Sequence, residues 1–567
     1  MKKKWWHEKI GYQIYPKSFL DTNGDGVGGL TGVIEKLPYL EQLGVDILWL
    51  SPVYPSPMVD NGYDISDYEN IDPRFGTLED MDRLIAEAKK KNISIIMDLV
   101  VNHCSDHHAW FQKAIADPKG PYGDYFYLKE GKDGKEPNNW RSYFGGSVWE
   151  KLPGQENLYY YHAYAKEQPD LNWENPALRE EIYKMVNWWL DRGIAGFRID
   201  AIINIKKDLT WEDLPVDGPD GRGFLTNSIT RMQKRDGGTK NGIGVFLREL
   251  KERCFAPHDA FTVGEVFEVD REQLEEFIGE DGYFSTMFAF DPIQSYKKGT
   301  CQCEFDRNMN PDEWKRDVFV NQKLLGDIAF EANIIENHDM ARGATIYIPD
   351  EDYGFASISA LAGLQVLQRG MPFLYQGQEI GMTNCPFELE DIDDIMTLDN
   401  YRYAVACGFP EEKAFAGCAR ESRDNARTPM QWSDAENAGF TTGKPWLKVN
   451  PNYPEINVAR QEKEYGSVLN FYRRLLCFRK SEEYRDLLTY GTFEPMYEDQ
   501  ERIFAFKRTL GKQCLTVICN ESSAERFLTL KEDYEEVVFV NLPQVTRIGD
   551  NLILHPYQLI VVETTKK

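Results

Sequence analysis

Short apolar segments alternate with amphipathic, helix-like segments over most of the chain. Helical periodicity covers about residues 29–43, 78–91 and 176–192. The apolar segments lack polar alternation, which is typical of strands buried on both faces of a parallel sheet. Eight such strands are predicted, at 11–16, 45–50, 93–100, 194–199, 260–266, 284–290, 332–339 and 371–377. Eight strands with intervening helices predict an α/β fold, a closed (β/α)8 TIM barrel whose chemistry lies at the carboxyl ends of the strands.

Two further units interrupt or follow this pattern. Residues 104–172 are rich in Tyr, Trp, Gly, Pro and Asn and contain no long periodic helix, so we expect a subdomain inserted after strand 3. After residue 490 the segments alternate in the manner of an antiparallel β domain, at 502–508, 513–520, 526–530, 535–541, 551–556 and 557–563. The predicted domains are a catalytic barrel (1–103 and 173–489), an inserted domain (104–172) and a C-terminal β-sandwich (490–567).

Composition restricts the class of partner. The chain has 567 residues and a formal charge of -27, which disfavours nucleic acid, an anionic membrane or a phosphorylated substrate. A small neutral substrate fits better. No window approaches 18 apolar residues, and the N-terminus has a basic start without an apolar run, so neither a membrane span nor a secretory signal is expected.

Ten cysteines are scattered along the chain, and the pair Cys301 and Cys303 lacks zinc-finger spacing. They are interpreted as mostly buried free thiols, which is typical of a reducing, cytoplasmic location.

The segment GFRIDAI places a cation beside a carboxylate. In a strand, alternate side chains share a face, so Arg198 and Asp200 point one way while Phe197 and Ile199 pack the other way. A neighbouring arginine keeps a carboxylate ionised and oriented, as a nucleophilic aspartate requires. The alternative is a structural ion pair that closes the strand.

Two more acidic residues, Glu265 and Asp339, lie at the ends of two other predicted strands. Three carboxylates at one barrel mouth are costly to keep ionised, so they indicate catalysis or metal binding. The apolar neighbours Val266 and Phe267 favour a raised pKa for Glu265, suited to a general acid. One carboxylate as nucleophile and one as proton donor is the arrangement of a retaining glycosidase.

Eight segments together carry a resemblance to the α-amylase superfamily, and within it to the oligo-1,6-glucosidase and α-glucosidase branch. They are GVDILWLSPVYPSP, NGYDISDY, DLVVNHCSD, QPDLNW, GFRIDAI, VGEVF, ENHD and YQGQEIGM, in the order typical of that family. The resemblance implies that Asp200 is the nucleophile, Glu265 the acid/base and Asp339 the carboxylate that distorts and anchors the sugar. Such chemistry requires no cofactor.

The resemblance also implies a set of sugar-binding residues. His103, His338 and Arg198 match residues around the bound glucose or the nucleophile. Asp64 and Arg427 match a pair that closes the pocket in exo-acting members. Further contacts are Tyr63, expected beneath the sugar, and three residues of the inserted domain, Phe144, Tyr164 and Gln168. The alternatives are core histidines and ordinary packing aromatics, and Asp98 is interpreted as a structural brace for Arg198 and His103.

The loop DTNGDGVGGL resembles the start of a calcium loop. Asp21, Asn23 and Asp25 alternate as oxygen ligands, and the backbone of Val27 is a further candidate for a structural Ca²⁺. Relatives usually have another aspartate where this chain has Gly29. A plain Asn-Gly/Asp-Gly turn is the alternative.

Substrate preference depends on Ala201, which follows the nucleophile. In this branch valine there accompanies α-1,6 linkages and threonine α-1,4 linkages, and a small apolar alanine favours short α-1,6-glucosides such as isomaltose. The α-1,4-glucosidase and sucrose-active alternatives stay open. Sucrose isomerisation ranks low because the arginine-rich run of those relatives is replaced here by CQCEFDRNMNPDEW. A transporter subunit, a trehalose-6-phosphate hydrolase or a non-catalytic carbohydrate-binding protein is disfavoured, and a monomer or homodimer is expected.

Overall fold

The computed structural model describes residues 2–224, 242–267, 269, 271–294, 296–297, 304 and 307–564. Eight parallel strands form its centre: Gly11–Ile14 (β1), Ile47–Leu50 (β2), Ser94–Val100 (β3), Gly196–Asp200 (β4), Phe261–Gly264 (β5), Thr286–Met287 (β6), Ala332–Asn333 (β7) and Met371–Tyr375 (β8). They are ordered β6-β5-β4-β3-β2-β1-β8-β7, and a parallel bridge between Phe288 and Ala332 joins the two ends. The predicted barrel is therefore confirmed. Predicted strands 6 (284–290) and 7 (332–339) were too long, because the paired strands contain only Thr286–Met287 and Ala332–Asn333.

Sequence signals at the helix ends explain where the outer helices begin and stop. The helix Leu78–Lys90, which follows β2, has Thr77 as its N-cap, and Thr77 forms a capping box with Asp80. The helix before β4 has Asn175 as its N-cap, Pro176 in its first turn and Gly193 as its C-cap at φ 110°. The described α-helices are Leu30–Leu43, Leu78–Lys90, Ala109–Ala116, Pro176–Arg192, Ile243–Leu250, Arg271–Ile278, Asp291–Gln294, Pro311–Leu325, Gly343–Tyr347, Phe355–Leu367, Ile395–Ala406, Glu411–Glu421, Asp424–Arg427, Val458–Gln461, Val468–Arg479 and Arg485–Tyr490.

The segment between β3 and the helix before β4 has a small antiparallel sheet, formed by Leu128–Glu130, Trp149–Lys151 and Leu158–Tyr161. Its aromatic core also includes Trp211 and Leu214, which lie after β4. In addition, Trp140–Arg141 pairs with Gly223–Phe224. The chain after β4 thus packs onto the insertion, which the sequence pattern did not indicate, and the bounds 104–172 stay a prediction.

The C-terminal region has two antiparallel sheets. One contains Thr492–Met496, Ile503–Leu510, Gln513–Asn520, Glu536–Val540 and Leu559–Glu563, and the other Arg526–Thr529, Thr546–Ile548 and Asn551–Leu554. Alternate residues of the larger sheet face different neighbours: Phe504 and Phe506 join the barrel core, whereas Ala505 packs against the smaller sheet. The predicted antiparallel C-terminal domain is confirmed, with strands 492–496 and 546–548 in addition to those predicted.

Among the helices of the described ranges, none has the length and apolar character needed to cross a bilayer. The eight described cysteines are free thiols, of which only Cys407 and Cys477 are exposed. Cys301 and Cys303 lie outside the described residues.

Candidate active site

Arg198 is the centre of the strand-end cluster. Its side chain is fully buried, and Nη1 lies 2.8 Å from Asp98 Oδ1 and 2.7 Å from Asp200 Oδ1. Nη2 lies 3.0 Å from Glu265 Oε2. One guanidinium on β4 therefore joins carboxylates from β3, from the end of β4 and from the residue after β5. The strand alternation of Arg198 and Asp200, together with adjacent parallel strands, produces this arrangement.

The electrostatics of Asp200 and Glu265 are dominated by burial. Burial raises the pKa of Glu265, the direction a general acid requires, while Arg198 opposes it. Burial also raises the pKa of Asp200 well above its usual value, again against the effect of Arg198. For Asp200, burial thus acts against the sequence-based expectation that Arg198 keeps this carboxylate ionised. Because the two carboxyl groups repel each other, the pair holds a proton more readily than either group alone.

The backbone after the nucleophile candidate fixes Glu265. Ala201 has φ 44° and ψ 29°, a left-handed conformation that is strained for a residue with a side chain. In that conformation its N–H donates to Glu265 Oε2 at 2.8 Å. Glu265 Oε2 thus accepts from the Ala201 N–H and forms an ion pair with Arg198 Nη2, which leaves Oε1 as the oxygen able to carry a proton.

Asp339 is held in its ionised form. Its Oδ2 lies 2.9 Å from His338 Nε2, and its Oδ1 lies 3.0 Å from Arg427 Nη2 and 3.3 Å from Arg423 Nη1. Burial alone would raise the pKa of Asp339, but His338 and the two arginines hold it well below its usual value. The Asp339 charge in turn raises the pKa of Asp200 and of Glu265, so the three carboxylates occupy one electrostatic environment.

A hydrogen-bonded chain fixes the tautomer of His338. Gln13 Nε2 donates to Nδ1 at 2.7 Å, so the proton of the neutral ring is on Nε2. Burial lowers the pKa of His338, consistent with a neutral ring. Tyr63 stacks on this ring at 5.3 Å between centroids, and its hydroxyl donates to Asp98 Oδ2 at 2.9 Å, where Trp49 Nε1 also donates. Tyr63 therefore braces the cluster through its hydroxyl.

A second chain fixes His103 through Lys207, which sequence reasoning did not identify. Lys207 Nζ donates to Asn102 Oδ1 at 2.7 Å, and Asn102 Nδ2 in turn donates to His103 Nδ1 at 3.1 Å. The His103 proton is thus on Nε2, 3.1 Å from the carbonyl oxygen of Tyr63 and 3.2 Å from Gln168 Nε2. Burial lowers the pKa of His103 to about 4, so this ring is also neutral.

The aromatic residues predicted in the inserted domain lie beside His103. The rings of Tyr164 and His103 are 5.2 Å apart, and Phe144 lies 5.5 Å from Tyr164. Asn204, from the chain after β4, donates to Tyr164 Oη at 2.8 Å, and Tyr143 stacks on the Tyr164 ring at 5.0 Å. The insertion therefore covers the carboxyl ends of β3 and β4.

The predicted pairing of Asp64 with Arg427 is wrong. Asp64 is fully buried and accepts from Ser56 Oγ and from the N–H groups of Val59 and Asp60, so it shapes its own loop. Arg427 instead pairs with Asp339.

The aspartate–arginine pair beside Asp339 is formed by Asp60 and Arg423. Arg423 Nη2 lies 3.0 Å from Asp60 Oδ1 and 2.6 Å from Asp394 Oδ1. Asp60 also accepts from Gln168 at 3.1 Å, and burial raises its pKa to about 6 although Arg423 lowers it. The signal was present in the sequence, since Asp60 precedes the NGYD motif and Arg423 begins the RDNARTPMQW run. One motif contains two aspartates, Asp60 and Asp64, and the other contains two arginines, Arg423 and Arg427, so the sequence alone does not show which aspartate pairs with which arginine.

The predicted calcium loop is organised by its own hydrogen bonds. Asp21 accepts from the N–H groups of Asn23, Gly24 and Gly26 and from the Thr441 hydroxyl. The side chain of Asn23 accepts from the Asp25 N–H, and Asp25 accepts from the Val27 N–H. In the described part of the chain, no group of three His, Cys, Asp or Glu residues is placed to hold a metal ion. With its acceptor positions filled, the Asp21 carboxylate does not fit a calcium cage in this arrangement.

Three comparisons relate this chain to known proteins. The family model of the α-amylase catalytic domain matches residues 13–491. An oligo-1,6-glucosidase from Halalkalibacterium halodurans is 42% identical over 92% of this chain and 91% of that protein, and one from Bacillus cereus is 39% identical over 99% of each. The crystal structure of a trehalulose synthase from Pseudomonas mesoacidophila is 38% identical, with a TM-score of 0.90 and full coverage of both chains.

Proposed function

The chain belongs to the α-amylase family, and from that premise we propose that it is a retaining, exo-acting α-glucosidase that releases glucose from short α-glucosides. The observation that carries the proposal is the placement of Asp200 and Glu265 on the two ends of the Arg198 guanidinium, within the field of Asp339. Paired carboxyl groups with different roles are what a retaining glycosidase requires.

The roles follow from the contacts. Glu265, with Oε1 available for a proton, donates that proton to the glycosidic oxygen as Asp200 attacks the anomeric carbon and the glycosidic bond breaks. The Glu265 carboxylate then takes a proton from water, whose oxygen displaces Asp200 and releases glucose with retained α configuration. Arg198 orients both groups, and ionised Asp339 is suited to accept sugar hydroxyl groups.

Exo action is supported by the charged pair of Asp60 and Arg423. Arg423 also contacts Asp339 at 3.3 Å, so the pair adjoins the residues assigned to the reacting sugar. A buried carboxylate and a guanidinium side by side suit the vicinal hydroxyl groups of a terminal glucose. Phe144, 5.2 Å from the Arg423 guanidinium, adds an apolar wall from the insertion.

The α-1,6 linkage is the proposed preference. It is supported by the two oligo-1,6-glucosidases to which the chain is similar and by the small apolar Ala201, buried beside Glu265. Comparing kcat/KM for isomaltose, maltose and sucrose tests this proposal. We expect isomaltose to be preferred, and a preference for maltose of about threefold or more would contradict it.

Sucrose activity is the second candidate, because the similar trehalulose synthase has the same fold over its whole length. Part of the segment that distinguishes the isomerases, at residues 301–314, lies outside the described residues. Product analysis with sucrose separates the cases: free glucose and fructose indicate hydrolysis, whereas an isomeric disaccharide indicates isomerisation. A cytoplasmic location and a monomeric or homodimeric state also belong to this proposal, and sedimentation analysis tests the latter.

A further inference from the structure

The turn that follows Asp200 holds a strained residue in place. The 3₁₀ turn Ile202–Ile205 comes directly after Ala201, whose backbone is left-handed at φ 44° and ψ 29°. A residue with a Cβ keeps this conformation only where its surroundings hold it there. The hydrogen bond from the Ala201 N–H to Glu265 Oε2, 2.8 Å long, depends on that conformation. The contacts that hold the turn therefore also orient the Glu265 carboxyl group.

Asn204 holds this turn through three contacts. Its N–H donates to the Ala201 carbonyl at 2.9 Å, which closes the turn. Its carbonyl accepts from Lys207 Nζ. Its side chain is 6% exposed, and Nδ2 donates to Tyr164 Oη at 2.8 Å. The first two contacts use main-chain groups, which almost every residue carries, so the contact that requires an asparagine is the one to Tyr164.

Tyr164 is a well-fixed partner for the Asn204 amide. Its carbonyl accepts from the Ser142 hydroxyl at 2.8 Å and lies 2.9 Å from His162 Nδ1. Its ring stacks on Tyr143, with centroids 5.0 Å apart and an angle of 25° between the planes. Because both its backbone and its ring are held, the Tyr164 hydroxyl has a defined position. Asn204 thus anchors the turn after β4 to a rigid part of the insertion.

The main chain of Glu265 does not depend on this turn. The Glu265 N–H donates to the Ile199 carbonyl at 3.1 Å, which continues the pairing of β5 with β4. A shift of Ala201 therefore affects the Glu265 carboxyl group and leaves its backbone in place. The charged groups around this carboxyl group also belong to other positions: Arg198 and Asp200 in β4, Asp98 in β3 and Asp339 after β7.

We propose that Asn204 is a positioning residue, whose bond to Tyr164 keeps Ala201 left-handed and thereby orients Glu265 to protonate the leaving group. This inference rests on the proposed function, because it takes Glu265 as the acid. The alternative is that packing alone holds the turn, since Ile202 and Ile205 are fully buried.

The test compares kcat/KM for isomaltose with kcat/KM for α-glucosyl fluoride, whose fluoride leaves without protonation by an acid. Asn204→Ala removes the amide. Tyr164→Phe removes only the hydroxyl and keeps the ring, so it tests the same contact if Asn204→Ala does not fold. Asn187→Ala is the control, because Asn187 Nδ2 donates to a carbonyl at 2.9 Å on the outer helix Pro176–Arg192. The melting temperature of each variant checks its folding.

We expect Asn204→Ala and Tyr164→Phe to lower kcat/KM about tenfold for isomaltose and less than about twofold for α-glucosyl fluoride. The Ala201 N–H lowers the pKa of Glu265. Its loss raises that pKa, so the alkaline limb of the isomaltose profile moves about one unit to higher pH. The double variant is expected to match the single variants, because each removes the same bond. The control is expected to match the unsubstituted enzyme.

Two results would overturn this role of Asn204 and leave the proposed function intact. One is an equal fall for both substrates with an unmoved alkaline limb, and the other is unchanged kinetics in both variants. An unsubstituted enzyme that hydrolyses neither substrate would contradict the proposed function itself, and the role of Asn204 would fail with it.

Discussion

Replacing Arg423 by glutamine removes a buried cation that faces three carboxylates. Its guanidinium lies 3.0 Å from Asp60, 3.3 Å from Asp339 and 2.6 Å from Asp394, and the side chain is 7% exposed. Breaking a buried ion pair by removing one partner costs about 3–5 kcal/mol of unfolding free energy. We expect a loss of that size, measured by urea unfolding.

The same variant tests the sugar-binding role of Arg423. Two lost charge-assisted hydrogen bonds to a terminal glucose correspond to about 3 kcal/mol, or roughly a 100-fold fall in kcat/KM for isomaltose. Arg402→Gln is the control, because Arg402 also pairs with an aspartate, at 2.7 Å, but is 69% exposed. Exposed pairs contribute about 0–1 kcal/mol, so the control changes stability and activity little.

The pH dependence of kcat/KM tests the contact between Asp60 and Arg423 independently. Burial places the pKa of Asp60 at about 6, and Arg423 lowers it against that trend. A raised carboxyl pKa means that the contribution of Asp60 to folding is present at low pH and lost as the pH rises through about 6. Without Arg423 the pKa of Asp60 rises further, so the acid limb of kcat/KM moves to higher pH. An unmoved limb, or an activity loss equal to that of Arg402→Gln, would refute this reasoning.

Two further predictions concern residues outside the carboxylate cluster. Lys207→Met removes the donor to the Asn102 amide, which fixes the His103 ring, so kcat/KM is expected to fall about tenfold and the ¹⁵N NMR shifts of His103 to report a mixture of tautomers. Lys206→Met is the control and is expected to change neither. An unaltered His103 spectrum in Lys207→Met would contradict this role of Lys207. For the loop at Asp21, whose carboxylate accepts four hydrogen bonds, EDTA is expected to leave the melting temperature unchanged, and a rise on adding CaCl₂ would restore the predicted calcium site.

Much of the fold followed from local pattern, because buried parallel strands are apolar on both faces and the turns between them carry ordinary capping signals. Arg198 and Asp200 could be placed on one face from strand alternation alone. The contact between Asp60 and Arg423 could not be predicted from the sequence, since 363 residues separate them and each motif contains a second residue of the same charge. The packing of Trp211 onto the insertion was hidden for a similar reason: a solitary aromatic in a loop carries no periodicity.

The role of Asp200 as nucleophile is the central claim, and trapping the glucosyl-enzyme tests it most directly. The Glu265→Gln variant is incubated with α-glucosyl fluoride, whose fluoride leaves without protonation by an acid, so the first step still occurs. The variant lacks the base for the second step, so the glucosyl-enzyme accumulates. Peptide mass spectrometry is expected to find one hexosyl group esterified to Asp200, and none when Asp200→Asn is added. A hexosyl group on a different residue, or an Asp200→Asn enzyme that keeps more than about a thousandth of the normal rate, would contradict the account.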